Sequence, residues 1–354
     1  MKFNVLNPNI PKIRSNPLLE WEQLTNESTG EIKEQTAYYH EMKFVIKNDK
    51  YLRVSGSLHK HWNSLQTGVK HNYNDFGFSS MVNTVMGFCS TFEINPSSCK
   101  LENIEFGVNI TPNIPSEEIL QSCIDHKGKP FTHQYSDSKN FRECIHQRYI
   151  IKIYNKAIQY NRLVNILRFE IKTMKMAHLK SIGIKTLEDI LNHDKLKMLG
   201  DNLLATFNDI LFYNFAIDLD QIPERDRTLL SLGISPRYWL DLNNRNKNTC
   251  KKQRSQFRQL VNQYESLPIQ QQIGELIRDK WQELISQRTE TVSTYSNLAT
   301  REYTQINTSD KGLIQIHNKE TDSNQCIGGG FLPSKEETDR KILPLHGKGR
   351  EWKH

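Results

Sequence analysis

Short runs of strictly alternating apolar and polar residues constrain this chain more than any other feature. In 104–110, Ile104, Phe106, Val108 and Ile110 share one face of a strand, and Glu105, Gly107 and Asn109 share the other. In 166–172, Leu167, Phe169 and Ile171 oppose Ile166, Arg168, Glu170 and Lys172. In 149–156, Tyr149, Ile151 and Ile153 oppose Ile150, Lys152, Tyr154 and Lys156. Tyr39–Lys47 and Tyr51–His59 read as a hairpin turning at Asn48-Asp49, with Leu52, Val54 and Leu58 inward and Arg53, Ser55, Ser57 and His59 outward. A period of two predicts strands, and polar residues on one face predict an antiparallel sheet with a wet side.

Helical spacing intervenes at Phe78, Met81, Val82, Val85, Met86 and Cys89, and Pro115-Ser116-Glu117-Glu118 reads as a helix start capped by Ser116. The order β-β-α-β-α-(β)-β-β gives an α+β class with helices on one face of the sheet. After Lys172 the pattern turns helical, over 186–191, 199–215, from Pro236, and over 254–288 with a break near Pro268. Four parts follow: a polar lead-in at 1–36, a sheet domain at 37–180, a helical accessory domain at 181–290 and a polar, disordered tail at 291–354. No apolar run approaches the roughly 20 residues that a membrane span needs. The opening residues lack the apolar core of a signal peptide. The six cysteines are scattered without CxxC spacing, so neither a zinc knuckle nor a disulfide scaffold is expected, and the compartment is taken as a reducing cytoplasm. A surplus of 47 Lys+Arg over 40 Asp+Glu leaves +7, which favours acidic partners such as nucleic acid.

The polar faces supply the candidate chemistry. His59, Glu105 and Glu170 are ligand types suited to Mg2+ or Mn2+, and Lys152, Lys156 and Arg168 suit a phosphate beside them. Any antiparallel sheet with a wet face carries charges, so the pattern counts collectively rather than residue by residue. His61 shares a strand face with His59 in this reading, and its role stays open. From Asn244 to Arg258 the chain is basic without an acid, and helical spacing puts Lys247, Lys251, Arg254 and Arg258 on one side, with Lys252 beside them. Such a stripe suits backbone phosphates.

The block Asn165-Ile166-Leu167-Arg168-Phe169-Glu170-Ile171-Lys172, continued by Leu179-Lys180-Ser181-Ile182-Gly183-Ile184, resembles the phage and plasmid replication initiators of the filamentous-phage gene II/X type. Three looser blocks fall in the same order: Val54–Lys60, Ile104–Ile110 and Ile153-Tyr154-Asn155-Lys156. The paired-histidine motif with an apolar centre, expected of rolling-circle relatives, is absent. The resemblance implies a nuclease sheet of the HUH, rolling-circle Rep type, followed by a helical C-terminal domain. It implies an enzyme that nicks and rejoins single-stranded origin DNA through a tyrosine phosphodiester, using Mg2+ or Mn2+ held by His59, Glu105 and Glu170. Tyr160 lies where gene II proteins carry their nucleophile, Tyr135 fits the plasmid-type layout, and Tyr154 is a further candidate, with Lys156 positioning the phosphate. Host helicase is an implied partner. A non-cleaving origin-binding protein is the alternative, and a relaxase or transposase would share the chemistry.

Overall fold

The alternating runs form strands, and every strand pairing among the described residues is antiparallel. The computed structural model describes residues 1–25, 28–30, 32–132 and 139–286. In chain order the first elements are β1 (Lys2–Val5), α1 (Ile10–Arg14), β2 (Glu22–Thr25), β3 (Ile32–Tyr39), β4 (Met42–Lys47), β5 (Tyr51–Gly56), α2 (Leu58–Thr67) and α3 (Phe78–Thr91). Next come β6 (Cys99–Asn103), β7 (Glu105–Ile110), α4 (Ser116–Ser122), β8 (Cys123–His126), β9 (Lys129–Pro130), β10 (Phe141–Ile145) and β11 (Tyr149–Asn155). The last are α5 (Lys156–Gln159), β12 (Leu167–Thr173), α6 (His193–Asn208), β13 (Ile210–Phe212), α7 (Glu224–Gly233), α8 (Pro236–Arg245), α9 (Lys247–Tyr264) and α10 (Ile269–Ser286).

The described residues form three sheets: sheet A in the order β2-β3-β4-β5-β1-β6, sheet B as β10-β11-β12-β7, and sheet C as β13-β8-β9. The α+β class with antiparallel sheets therefore holds. The stretch 101–111, which reads as one strand in the sequence, holds the end of β6 and all of β7. β6 pairs with β1 in sheet A, β7 pairs with β12 in sheet B, and Ile104 is the joint between them. The Ile104 amide donates to Thr173 Oγ1 at 2.8 Å, and its carbonyl accepts from the Thr173 amide at 2.9 Å. The apolar side of sheet B is covered by α6 and α10: Phe169 meets Phe207 edge-on at 5.2 Å between centroids, and Phe106 meets Trp281 at 6.4 Å.

Four expectations are corrected. Residues 1–36 are not a loose lead-in, because Phe3 is wholly buried and β1 lies between β5 and β6 inside sheet A. The strand expected over 51–59 stops at Gly56, since Ser57 accepts a hydrogen bond from the Lys60 amide and starts α2, which ends at Gly68 in the left-handed region (φ 71°). Ser116 does not cap α4; its hydroxyl donates to Asn165 Oδ1 at 2.6 Å instead. Packing does not divide at 180/181 either. Residues of α6 and α10 share the core of sheets A and B, whereas α7, α8 and α9 enclose a second core around Leu230, Trp239 and Phe257, with Ile124 and Leu211 from sheet C. The tail expected at 291–354 lies outside the described residues.

Candidate functional site

Register decides which polar side chains of sheet B meet. Lys152 stands opposite Glu170, and Glu170 opposite Gly107. Tyr154 stands opposite Arg168, and Arg168 opposite Asn109. Gly107 is required by close approach: a Cβ there would lie 2.2 Å from the Phe169 carbonyl oxygen and 2.6 Å from Glu170 Cα. Opposite charges on neighbouring strands pair across the sheet. Lys152 Nζ is 2.9 Å from Glu105 Oε1 and 3.5 Å from Glu170 Oε1. Arg168 Nε is 2.5 Å from Glu170 Oε2, and its Nη1 donates to Asn109 Oδ1 at 3.0 Å. Burial works to raise the Glu105 carboxyl, but Lys152 overrides it and holds the group at about 2. Burial likewise opposes the charged forms of Lys152 and Arg168, yet Glu170 and Glu105 raise both above their ordinary values.

Over this face sit α2 and the segment after it. His59 Nε2 lies 2.8 Å from Asn74 Oδ1, and its ring stacks on Phe76 at 4.9 Å. Asn63 donates to His71 O and to Asn74 Oδ1, both at 2.8 Å, and Asn109 Nδ2 donates to Asn72 O at 3.1 Å. Burial depresses His59 to about 3, the Asn74 contact opposes this, and Arg168 and Lys156 press it further down.

At the end of β11 the chain turns into the single helical turn of α5, where the Asn155 side chain accepts from the Ile158 amide. That turn swings Lys156 inward, leaving it 1% exposed. Its Nζ lies 5.2 Å from the ring centroids of both Tyr154 and Tyr160 and donates to Tyr154 Oη at 3.4 Å. Burial first, then Arg168, lowers this ammonium to about 7. Tyr160 Oη donates to Asn72 Oδ1 at 2.7 Å, and Tyr73 packs edge-on against its ring at 5.1 Å. Burial raises both phenols, Tyr154 well above its usual range.

The polar face thus gathers Lys152, Tyr154, Lys156, Arg168, Glu105, Glu170, His59 and Tyr160 into one neighbourhood. It does not make the divalent metal site expected of His59, Glu105 and Glu170. The Glu170 carboxylate already faces Arg168 and Lys152, Glu105 faces Lys152, and the His59 Nε2 is engaged by Asn74. His61 points elsewhere, because positions two apart on a helix diverge by about 200°. It is wholly buried against Tyr39, His40 and Phe88. Tyr135 lies outside the described residues.

The basic stripe is half inward. Arg254 forms a bidentate pair with Asp125, which is 2% exposed, and lies over the Trp239 ring at 5.4 Å. Arg258 donates to Asp209 O at 2.7 Å. Helical spacing placed these residues on one side correctly, but that side partly faces sheet C, so Arg254 and Arg258 are not free phosphate contacts. Lys247, Lys251 and Lys252 are exposed. Lys247 and Lys251 line a cleft of about 350 Å³ with Lys127, Asn243, Arg254 and Arg258.

One grouping was missed. Among the described residues, the set of three His, Cys, Asp or Glu side chains whose ligand atoms converge is His126, Cys144 and His146. The signal was Cys144-Ile145-His146, two ligand types one strand period apart. The search for CxxC spacing passes over it. No described helix is long and apolar enough to cross a membrane. Compared with known proteins, the chain matches no family model, no curated protein and no solved structure.

Proposed function

We propose that this chain nicks and rejoins single-stranded DNA through a tyrosine phosphodiester, with sheet B serving as a rolling-circle-type nuclease platform and Tyr160 as nucleophile. The observation that carries this reading is the buried Lys156 ammonium, equidistant from the Tyr154 and Tyr160 rings and lowered to about 7. Near neutral pH a group at that value is partly unprotonated and can accept a phenolic proton, whereas an ordinary lysine cannot. Tyr160 Oη, released from Asn72, attacks phosphorus and its proton passes to Lys156 Nζ, while the 3′ oxygen leaves with the bonding electron pair and takes a proton from water to become the 3′-OH. The link formed is a 5′-phosphotyrosine, which keeps the phosphodiester energy for rejoining. Arg168 and Lys152 contribute fixed positive potential beneath the phosphate. Tyr154, the more strongly desolvated phenol, positions Lys156. No metal step is assigned to His59, Glu105 and Glu170, for the reasons of charge pairing given above.

The test is a covalent-adduct assay on a labelled random-sequence single-stranded DNA pool, run with Mn2+ and with chelator. The expected result is an adduct mapping to Tyr160, lost in Tyr160→Phe, retained under chelator, and forming faster as pH rises through about 7. An adduct that maps to Tyr135 or Tyr154 moves the nucleophile. An adduct that needs Mn2+ overturns the metal-free chemistry.

A second reading, a replication-origin binding protein that does not cleave, is favoured by the same ion pairs: the carboxylates of the polar face already have protein counter-charges. Salt-dependent single-strand binding without any adduct would select it.

A further inference from the structure

Sheets B and C meet where β8 and β10 end. His126 is the last residue of β8, Cys144 lies in β10, and His146 follows one strand period later. His126 Nδ1 and His146 Nε2 are 2.9 Å apart, and Cys144 Sγ is 3.4 Å from the same His146 nitrogen. One ligand atom from each residue lies within 4.8 Å of the other two. Around a tetrahedral Zn2+, with Zn–N about 2.0–2.1 Å and Zn–S about 2.3 Å, two nitrogens stand about 3.3 Å apart, and a nitrogen and a sulfur about 3.6 Å. The two separations at His146 Nε2 come within a few tenths of an ångström of those edges.

Two further observations point the same way. His126 and Cys144 are both 0% exposed, and His146 is half-buried, which leaves the trio open to solvent only on the His146 side. The His146 ring is fixed by stacking on Tyr149 at 4.6 Å, and Tyr149 stacks in turn on His178 at 4.1 Å.

We propose that His126, Cys144 and His146 bind one Zn2+-class ion, a borderline cation that takes imidazole and thiolate together, and that the ion ties sheet C to sheet B. On binding, the Cys144 thiol gives its proton to solvent and its sulfur lone pair to the metal, and both imidazoles bind neutral. Three protein ligands leave the fourth position to water. The ion is structural: β8 and β13 carry Ile124 and Leu211 into the core of α7–α9, and the site anchors that unit to β10. This inference is independent of the proposed DNA chemistry. The metal-free alternative is a hydrogen-bonded trio, with His126 and His146 sharing one proton and the Cys144 thiol donating to Lys129 O at 3.3 Å.

The full chain, stripped with chelator, is titrated with Co2+ and then with Zn2+. The expected result is one Co2+ per chain with a thiolate-to-metal charge-transfer band, displaced by an equivalent of Zn2+. Cys144→Ser should abolish the band and Cys250→Ser should keep it. His146→Asn should weaken Co2+ by more than about 100-fold, beyond the 10–100-fold that loss of an outer partner costs. In the wild type, Zn2+ should slow alkylation of Cys144 at least about 10-fold without protecting Cys250. That measurement decides the matter if the variants do not fold. Absence of the band in wild type, its survival in Cys144→Ser, or unprotected Cys144 would establish the hydrogen-bonded trio instead.

Discussion

The polar face of sheet B and the junction of sheets B and C both collect metal-compatible side chains, and they differ in what already balances them. On sheet B, strand register sets Lys152 opposite Glu170, and the carboxylates of Glu105 and Glu170 are neutralised by Lys152 and Arg168. At the junction, two imidazoles and a thiol converge through neutral contacts with one another. Residue type alone therefore says little about metal binding. The deciding quantity is the counter-charge that the fold supplies from neighbouring strands.

The sharpest way to break this contrast is Lys152→Met. Glu170, 5% exposed, keeps Arg168 but loses its second cation, and Glu105 loses its nearest one, so the expected cost is about 3 kcal/mol, measurable by urea unfolding. Mn2+ should recover part of that loss in the variant and leave the wild type unchanged. Stabilisation of the wild type by Mn2+ would make the two regions alike after all. Next in size is Gly107→Ala, which pushes a methyl group into the Phe169 carbonyl. The expected loss is about 1–3 kcal/mol of stability, again from urea unfolding.

A pH series sharpens the comparison from the side of α2. Burial holds His59 and His61 at about 3 against an ordinary value of 6.5. Below about 6.5 the unfolded chain takes up protons that the folded chain refuses, so stability falls as pH drops from 6.5 toward 3. For His61, wholly buried, the loss at pH 5 is about 2 kcal/mol, read as a lower Tm than at pH 7.5. A Tm unchanged between those values would mean that His61 is charged in the fold. The smallest effect belongs to Lys251→Gln with Lys252→Gln. Both positions are exposed, so stability should shift by no more than about 0.5 kcal/mol. The salt slope of single-strand binding should drop by about 1 per lysine that contacts phosphate. An unchanged slope removes these lysines from the DNA surface.

Much of sheet B was legible because apolar and polar residue types alternate in β7, β11 and β12, even though α2 and the segment after it cover the polar face. The break at Ile104 shows in the sequence only as a phase slip, Leu101 and Ile104 being three residues apart, and one slip reads equally well as a bulge within a single strand. β8 was invisible for a different reason: its sequence, Cys123-Ile124-Asp125-His126, sets two apolar residues before two polar ones, so no alternation exists to read although all four are buried. β1 is only four residues long, too short for a pattern to stand out from the polar sequence around it. For His59, the hairpin pattern was followed three residues too far. Ser57, a good helix-capping type, was the local signal that the strand had ended. The candidate residues of the polar face were visible individually. Their pairing was not, because cross-strand register is a property of the folded sheet rather than of any one segment.

The joint at Ile104 carries a mechanical implication. The two larger sheets are threaded on one continuous stretch of backbone, and both main-chain groups of Ile104 are fastened to Thr173, which is itself 0% exposed. Sheet A cannot swing away from sheet B without tearing that clasp, so the pair should unzip together and exchange of the Ile104 amide with deuterated solvent should keep pace with global opening rather than local fraying.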